Sequence, residues 1–379
     1  MTKVSVIVPI YNCVRYVVQC VESLRAQTME DFQAICVDDG SKDDSLAEAR
    51  TAAAGDGRFS FYRLPENRGQ SAARNLALDH AQGEYLVLLD ADDYLVPEAL
   101  AKLVARADIQ RLDDLYFSGK AFFEDEQARR LVPEDYSNRP SFEGVASGME
   151  LFVFFEQRDA FFAQAPLRMV RRDLVERAQI RFCEGIIHED LLFTMQTLVE
   201  SARSSFLNEE LYMRRVHVGS TMAQPRRTAE NVRGHFVCLQ KMERWMREHP
   251  DRLDGDFAQA MAHRFAAYRA LMAHDWKLEL TEGERAGFLD SLSPLERFEF
   301  FSSVVYPDTY GQDVYDSKTY RLGDAIASLP RTVVEKVSGA LRRGRESSQE
   351  GEFDHAAGFD VGCRQGSAGR KGRGERACR

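Results

Sequence analysis

Four short apolar runs in the first ninety residues each end in polar or acidic positions. Val4 to Ile10, VSVIVPI, closes on Pro9 and gives way to Tyr11-Asn12. Phe32 to Val37, FQAICV, runs into Asp38-Asp39-Gly40-Ser41, and Phe59 to Arg63 precedes Pro65-Glu66-Asn67-Arg68-Gly69. Tyr85 to Leu89, in GEYLVLLDADD, stops in Asp90, Asp92 and Asp93. Runs this short predict strands, and the apolar run Tyr85 to Leu89 predicts one buried on both faces. Helical spacing fills the gaps: Tyr16, Val17, Val21 and Leu24; a segment capped by Asp43 or Ser45; one carrying Ser71, Arg74 and Asn75; and one announced by Pro97, Leu100, Leu103 and Val104. Alternating strands and helices predict right-handed βαβ units. The fold class is therefore α/β, a doubly wound, mostly parallel sheet with helices on both faces and polar residues on its carboxyl rim.

Beyond Ala107 the pattern loosens. Leu115 to Phe123 predicts another strand, and Glu124 to Pro140 an exposed loop. The Phe-rich stretch Gly148 to Phe162 suits a buried helix or part of an acceptor cleft. In Phe182 to Val199, Glu189-Asp190 open a helix whose apolar side holds Leu192, Phe193, Met195 and Leu198. Leu211 to Thr221 alternates like a strand and breaks at Gly219. From Thr228 to about Ser303 the chain reads as charged helices, with Phe236, Leu239, Met242 and Met246 on one side, a helical cap or an oligomer surface. In Arg331 to Arg345, Val333, Val334, Val337, Ala340 and Leu341 share a face flanked by Lys336, Arg342, Arg343 and Arg345. Such a helix either lies in an anionic membrane interface or packs back onto the domain. Ser347 to Arg379 is Gly-, Ser- and Arg-rich without periodicity and is expected to be disordered.

Composition narrows the function classes. The 379 residues, 44% apolar, can bury one large or two ordinary cores. A net charge of −10, with no basic stripe before Arg331, argues against nucleic acid as a partner. Seven cysteines without a CxxC pair fit reduced thiols better than a disulfide framework or a zinc site. The chain enters a strand at once, and no apolar run approaches the ~20 residues of a membrane span, so a cytoplasmic protein is expected.

The chemistry sits at the strand ends. Asp90, Asp92 and Asp93 repel one another unless a cation intervenes, and oxygen ligands of this kind suit Mg²⁺ or Mn²⁺ that also holds phosphate oxygens. Asp92 or Asp93 equally suits the N-cap of the following helix. No GxGxxG follows the first strand and no GxxxxGK[ST] occurs, which removes a Rossmann dinucleotide site and a P-loop. A nucleotide would have to be held by carboxylates accepting uracil N3–H or ribose hydroxyls, with a cation on the diphosphate. Glu189 and Asp190 are either dipole partners of a helix start or a base facing a cleft, with His188 as a rival base. Arg214, Arg215 and His217 are either a solvated edge or ligands of an anion and its metal.

VSVIVPIYN, VDDGSKDDS, ENRGQSAARN and GEYLVLLDADD, in this order, resemble glycosyltransferase family 2 with its GT-A fold. The likeness covers roughly the first 105 residues and thins afterwards. It implies an inverting, metal-dependent enzyme that moves a sugar from a nucleotide diphosphate sugar, most often UDP-linked, to an acceptor hydroxyl in cell-surface glycan or polysaccharide biosynthesis. It would place Pro9 and Tyr11 beside the base, Asp39 on uracil N3, and Asn67 and Arg74 along the nucleotide. Asp90 and Asp92 would be the DXD pair, with Asp92 the nearer metal ligand. HEDLLF would make Asp190 the base and Glu189 its neighbour. RRVHVGS would give His217 to the metal and Arg214 or Arg215 to the diphosphate. Residues 1–108 would then be the donor half, 109–227 the acceptor half, 228–346 a helical region and 347–379 a tail. The acceptor would be a glycan or a lipid-linked glycan, met at the cytoplasmic face of a membrane. Gln240-Lys-Met-Glu-Arg244-Trp245 is one residue too long for the QxxRW of processive synthases, which argues against that branch. Two other readings are a non-catalytic nucleotide-sugar scaffold and a sugar nucleotidyltransferase. The latter needs a Gly- and Arg-rich first loop with a lysine, which Val8 to Asn12 is not.

Overall fold

β1 (Val4–Ile10), β2 (Phe32–Asp38), β3 (Phe59–Arg63) and β4 (Tyr85–Leu88) form where the apolar runs predict them. They lie parallel in the order β3-β2-β1-β4, joined by α1 (Val17–Arg25), α2 (Ser45–Ala52) and α3 (Gln70–Asp79). Every β1 residue is buried, because the pleat sends Val4, Val6, Val8 and Ile10 into one apolar layer with α1 and Ile7 into the other with α3. The strand order reverses between β1 and β4. Such a reversal opens a crevice at the carboxyl ends of the two strands, here beside Tyr11 and Asp90.

This is a computed structural model that describes residues 2–124, 126–131, 139–217 and 228–305, all within one compact unit, Met1–Thr309. The predicted break at Gly219, the segment 331–345 and the tail 347–379 lie outside the described residues.

The sheet continues with β5 (Tyr94–Leu95), α4 (Ala99–Gln110), β6 (Asp114–Phe123), α5 (Glu126–Leu131), α6 (Gly148–Glu156), β7 (Arg168–Arg171), α7 (Arg172–Arg177), α8 (Glu189–Glu200) and β8 (Ser204–Val216). Its full order is β3-β2-β1-β4-β7-β6-β8-β5. β6 and β8 are parallel, whereas β7 runs antiparallel to both β4 and β6, and β5 antiparallel to β8. The sheet is thus mostly parallel, with β7 reversed in its middle. β7 escapes the sequence pattern because arginines stand at both of its ends; Arg168 is fully buried only by pairing with Asp114. Part of the expected exposed loop after Glu124 is the short helix α5.

The Phe-rich stretch is the helix α6, started by a Ser147/Glu150 capping box, and Leu151, Phe152 and Phe155 are core residues. α6 and α8 touch closely: a Cβ on Gly148 would fall 2.0 Å from the Leu198 carbonyl oxygen. Their outer sides are covered by α9 (Thr228–Glu248), α10 (Gly255–His274), α11 (Glu282–Asp290) and α12 (Pro294–Phe300). Phe236, Leu239, Met242, Phe257, Trp276 and Phe300 share one apolar cluster with Phe152, Leu192 and Met195. The helical region is therefore a cap on this half of the sheet. Among the described residues no helix is long and apolar enough to cross a membrane.

Candidate active site

The carboxylates after β4 have three different surroundings. Asp93 is buried; its Oδ2 accepts from the Tyr212 hydroxyl at 2.6 Å and its Oδ1 from the Arg215 N–H at 2.6 Å. Burial, with the nearby charges of Asp92 and Asp90, pushes its carboxyl well above the usual carboxylate range. Asp93 thus anchors the end of β8. Neither Asp92 nor Asp93 caps α4, which starts later, after Glu98. Asp92 Oδ2 lies 3.5 Å from His217 Nε2, and the His217 ring packs against Tyr16 at 4.6 Å between centroids. Asp90 Oδ1 accepts from Gln70 Nε2 at 2.8 Å and from Arg74 Nη2 at 3.0 Å.

Arg74 joins this strand end to α8. Its Nη1 donates to Asp190 Oδ1 at 2.6 Å and to Glu189 Oε1 at 3.1 Å, while the guanidinium lies over the Phe182 ring. Asp190 Oδ2 accepts from the Ala165 N–H at 3.3 Å. Burial raises the carboxyls of Asp90 and Asp190 above their usual range, and the Arg74 charge pulls both back. The loop before α8 is pinned to α3: Asn75 exchanges two bonds with the Phe182 backbone at 2.9 Å, Ser71 Oγ donates to the Cys183 carbonyl at 3.0 Å, and Arg68 pairs with Glu184 at 2.8 Å. His188 leaves this cleft. Its Nε2 lies 3.1 Å from Asn231 Oδ1 and its ring stacks on His235 at 3.9 Å, so both partners belong to α9 and it is not placed as a rival base. Burial lowers its pKa.

On the other side of the crevice, Pro9 is buried in β1 and Tyr11, just beyond the strand, is 44% exposed. Asp39 accepts from the Arg68 and Gly69 N–H groups, both at 2.8 Å. Gly40 adopts φ +69°, and a Cβ there would stand 2.7 Å from the Glu66 carbonyl carbon, so the loop bearing exposed Asn67 rests against it. Tyr11, Asp39 and Asn67 therefore share one rim.

Two expected donor contacts lie differently. Arg74 is 1% exposed and spends both Nη groups on protein carboxylates. Arg215 Nε donates to the Asp92 carbonyl at 3.0 Å, its Nη groups go to Glu124 and Gln19, and it lies between the Tyr16 and Phe122 rings. Arg214 remains a partly buried residue of β8. Gln70 and Tyr212 were not singled out by sequence. Gln70 stands one helical turn before Arg74, a spacing that puts both on one face.

Residues 5–178 match Glycosyl transferase family 2. That segment, a little under half of the chain, is what is similar to the family. The chain is 32% identical over 228 residues to the uncharacterized glycosyltransferase EpsJ of Bacillus subtilis, covering 60% of this chain and 64% of that one. It is 29% identical over 223 residues to the cholesterol galactosyltransferase of Borreliella burgdorferi, covering 58% and 61%. The chain thus spans a little under two thirds of these relatives. Among solved structures, S. aureus TarS 1–349 in complex with UDP-GlcNAc superposes with a TM-score of 0.57 at 21% identity, covering 80% of this chain and 81% of that one. The mannosyltransferase PcManGT of Pyrobaculum calidifontis, in complex with GDP-Man and Mn²⁺, gives 0.51 at 18%, covering 84% and 82%. These two likenesses establish the fold, a GT-A-like mixed sheet with a helical C-terminal region. Asp190 and His217 lie beyond the segment that matches the family 2 domain.

Among the described residues no three His, Cys, Asp or Glu side chains form a metal cluster. Asp92 and His217 are two converging donors. That set fits a hard or borderline divalent ion whose remaining ligands are phosphate oxygens and water, since such ions are commonly held by one or two carboxylates plus substrate.

Proposed function

We propose that the chain is an inverting glycosyltransferase that moves a sugar from a UDP-linked donor to an acceptor hydroxyl of a cell-surface glycan or lipid-linked precursor, on the cytoplasmic face of a membrane. The observation that carries this reading is the meeting of strand-end and α8 carboxylates beside the β1/β4 crevice, in a chain whose residues 5–178 match family 2: Arg74 draws Asp90 together with Glu189 and Asp190, and Asp92 stands next to Asp90 facing His217. The relatives' glycosyltransferase names and the donors bound by TarS and PcManGT support the same class.

Tyr11, Asp39 and Asn67 form the rim that would take the nucleoside, with residues 1–108 as the donor half and 109–227 as the acceptor half. Asp92 and His217 would hold Mn²⁺ or Mg²⁺. Such an ion, when bound, would supply positive charge toward a leaving diphosphate. Asp190 acts as base: Arg74 and the Ala165 N–H fix its two oxygens, each of which keeps a lone pair for the proton of the attacking hydroxyl. Attack from the side of α8, opposite the departing diphosphate, inverts the anomeric carbon. Glu189 steadies Arg74 and is not itself the base.

The test is UDP release from a panel of UDP-sugars with Mn²⁺, followed by Asp190→Asn on whichever donor responds. Asp190→Asn should keep donor affinity and lose ~10²- to 10⁴-fold in turnover, with Glu189→Gln losing less. Wild-type turnover in Asp190→Asn, with substrates saturating, removes Asp190 as the base.

A further inference from the structure

The four motifs of the first ninety residues leave one member without work at the nucleotide. Arg74 is among the most deeply buried side chains of the molecule, yet it faces three carboxylates from two places in the chain: Asp90 at 3.0 Å beyond β4, and Asp190 at 2.6 Å and Glu189 at 3.1 Å at the start of α8. One guanidinium among three carboxylates does not neutralise them, so the contact is not a simple ion pair. Its two Nη groups point in different directions, Nη2 to the strand end and Nη1 to α8, a fork that a lysine ammonium does not reproduce. The same helix holds the loop before α8 through Ser71 and Asn75, so Arg74 is the charged centre of a wider attachment.

We propose that Arg74 is a positioning residue that holds Asp190 ionised and aimed at the crevice, tied through one guanidinium to the donor-side carboxylate Asp90. The proposal rests on the reading of Asp190 as the base. The charged and titratable neighbours of Asp190 are Arg74 of α3, Glu189 on its own helix, Asp90 beyond β4, Arg168 of β7 and His188. Arg168 is committed to Asp114, and burial keeps the His188 imidazole neutral. Arg74 is thus the cation that offsets the burial of Asp190. Gln70 separates the two ends of the device, because among these carboxylates it bonds to Asp90 alone.

The decisive experiment needs neither donor nor metal. Aspartate ¹³Cγ signals are titrated by NMR in the full chain, with Asp190 assigned by Asp190→Asn. In Arg74→Met the Asp190 midpoint should rise by about one to three units, in Arg74→Lys by less, and in Gln70→Ala not at all. An Asp190 midpoint that stays put in Arg74→Lys and Arg74→Met overturns the proposal. Should Arg74→Met not fold, Arg74→Lys decides alone: an unmoved midpoint overturns the proposal there too. UDP release gives the second readout. The acid limb of the Arg74→Lys profile should move to higher pH, with turnover recovering above it. An equal loss at every pH would make Arg74 merely structural and overturn the proposal. Failure of the base reading is seen separately, as wild-type turnover in Asp190→Asn, and leaves the titration of Asp190 to be read on its own.

Discussion

At the residue scale, Asp39 bears two demands on one carboxylate. Its oxygens accept the Arg68 and Gly69 N–H groups, and only the remaining lone pairs are open to a nucleobase. Asp39→Ala would confuse the two demands, because it leaves both N–H groups without their acceptor, at about 1–3 kcal/mol for each that stays dry. Asp39→Asn separates them. The amide oxygen keeps one backbone bond, while the NH₂ group offers a donor where the carboxylate offered an acceptor. Uracil N3–H needs an acceptor and cytosine N3 is one. Calorimetry should therefore find a preference for UDP over CDP in the wild type that falls about tenfold or more in Asp39→Asn, as expected from a charged hydrogen bond of about 1.5–3 kcal/mol. Equal losses for both nucleotides would reduce Asp39 to a support for the α3 start. Arg74 teaches a related lesson. In sequence it is the single arginine of a helix that is otherwise mostly small and apolar, and its carboxylate partners at 90, 189 and 190 are brought to it only by the folded chain.

At the element scale, β1, β2 and β4 were legible because they are buried on both faces and so read as mostly apolar runs, whereas the partly exposed β3 is marked by Phe59, Phe61 and Tyr62. β7 and the two-residue β5 carry no such run, and the reversal they bring to the sheet was not legible. Nor was the attachment of α8 to α9. Gly234 lets α9 come so close that a Cβ would fall 2.1 Å from the Ile187 carbonyl oxygen, and His188, His235 and Tyr268 stack across the contact at 3.9 and 4.9 Å. Burial, and the cost of placing a second positive charge beside a protonated neighbour, lower the His235 pKa to about 3, and burial lowers that of His188. Both imidazoles are neutral in the fold. A histidine with a depressed folded pKa contributes stability above its unfolded value of about 6.5, and that contribution is lost as the pH falls below it. For His235 the loss should reach about 1 kcal/mol by roughly pH 5.5. Urea unfolding between pH 7.5 and 5.5 checks this: His235→Phe, which keeps a ring in the stack and removes the titration, should show a flatter dependence than the wild type. Identical slopes would mean that protonation at this contact does not govern acid stability.

At the scale of the whole molecule, the helical region 228–305 is not an appendage to the sheet. Its residues Phe236, Met242, Phe257 and Phe300 lie in the same apolar cluster as Phe152 of α6 and Leu192 and Met195 of α8, and α8 carries Asp190 at its first turn. Arg264 and His263 of α10 add a paired contact to the buried Glu156 of α6. A chain ending at His217 would keep the strands and the segment that matches family 2 but expose this cluster, and it would strand Glu156 without its cation. It should fail to unfold cooperatively. A chain ending at Thr309 retains the whole cluster and every residue placed in the candidate site, and it should melt as the full chain does. Thermal unfolding with Mn²⁺ and a UDP-sugar then tests fold and site together. With ligand at about 100 times its Kd, the chain ending at Thr309 should gain about 2.7 kcal/mol, and Asp92→Ala in that chain should lose the part of the gain that depends on Mn²⁺. A cooperative, ligand-responsive chain ending at His217 would make the helical region dispensable. An Asp92→Ala variant with undiminished Mn²⁺ dependence would move the metal site away from the end of β4.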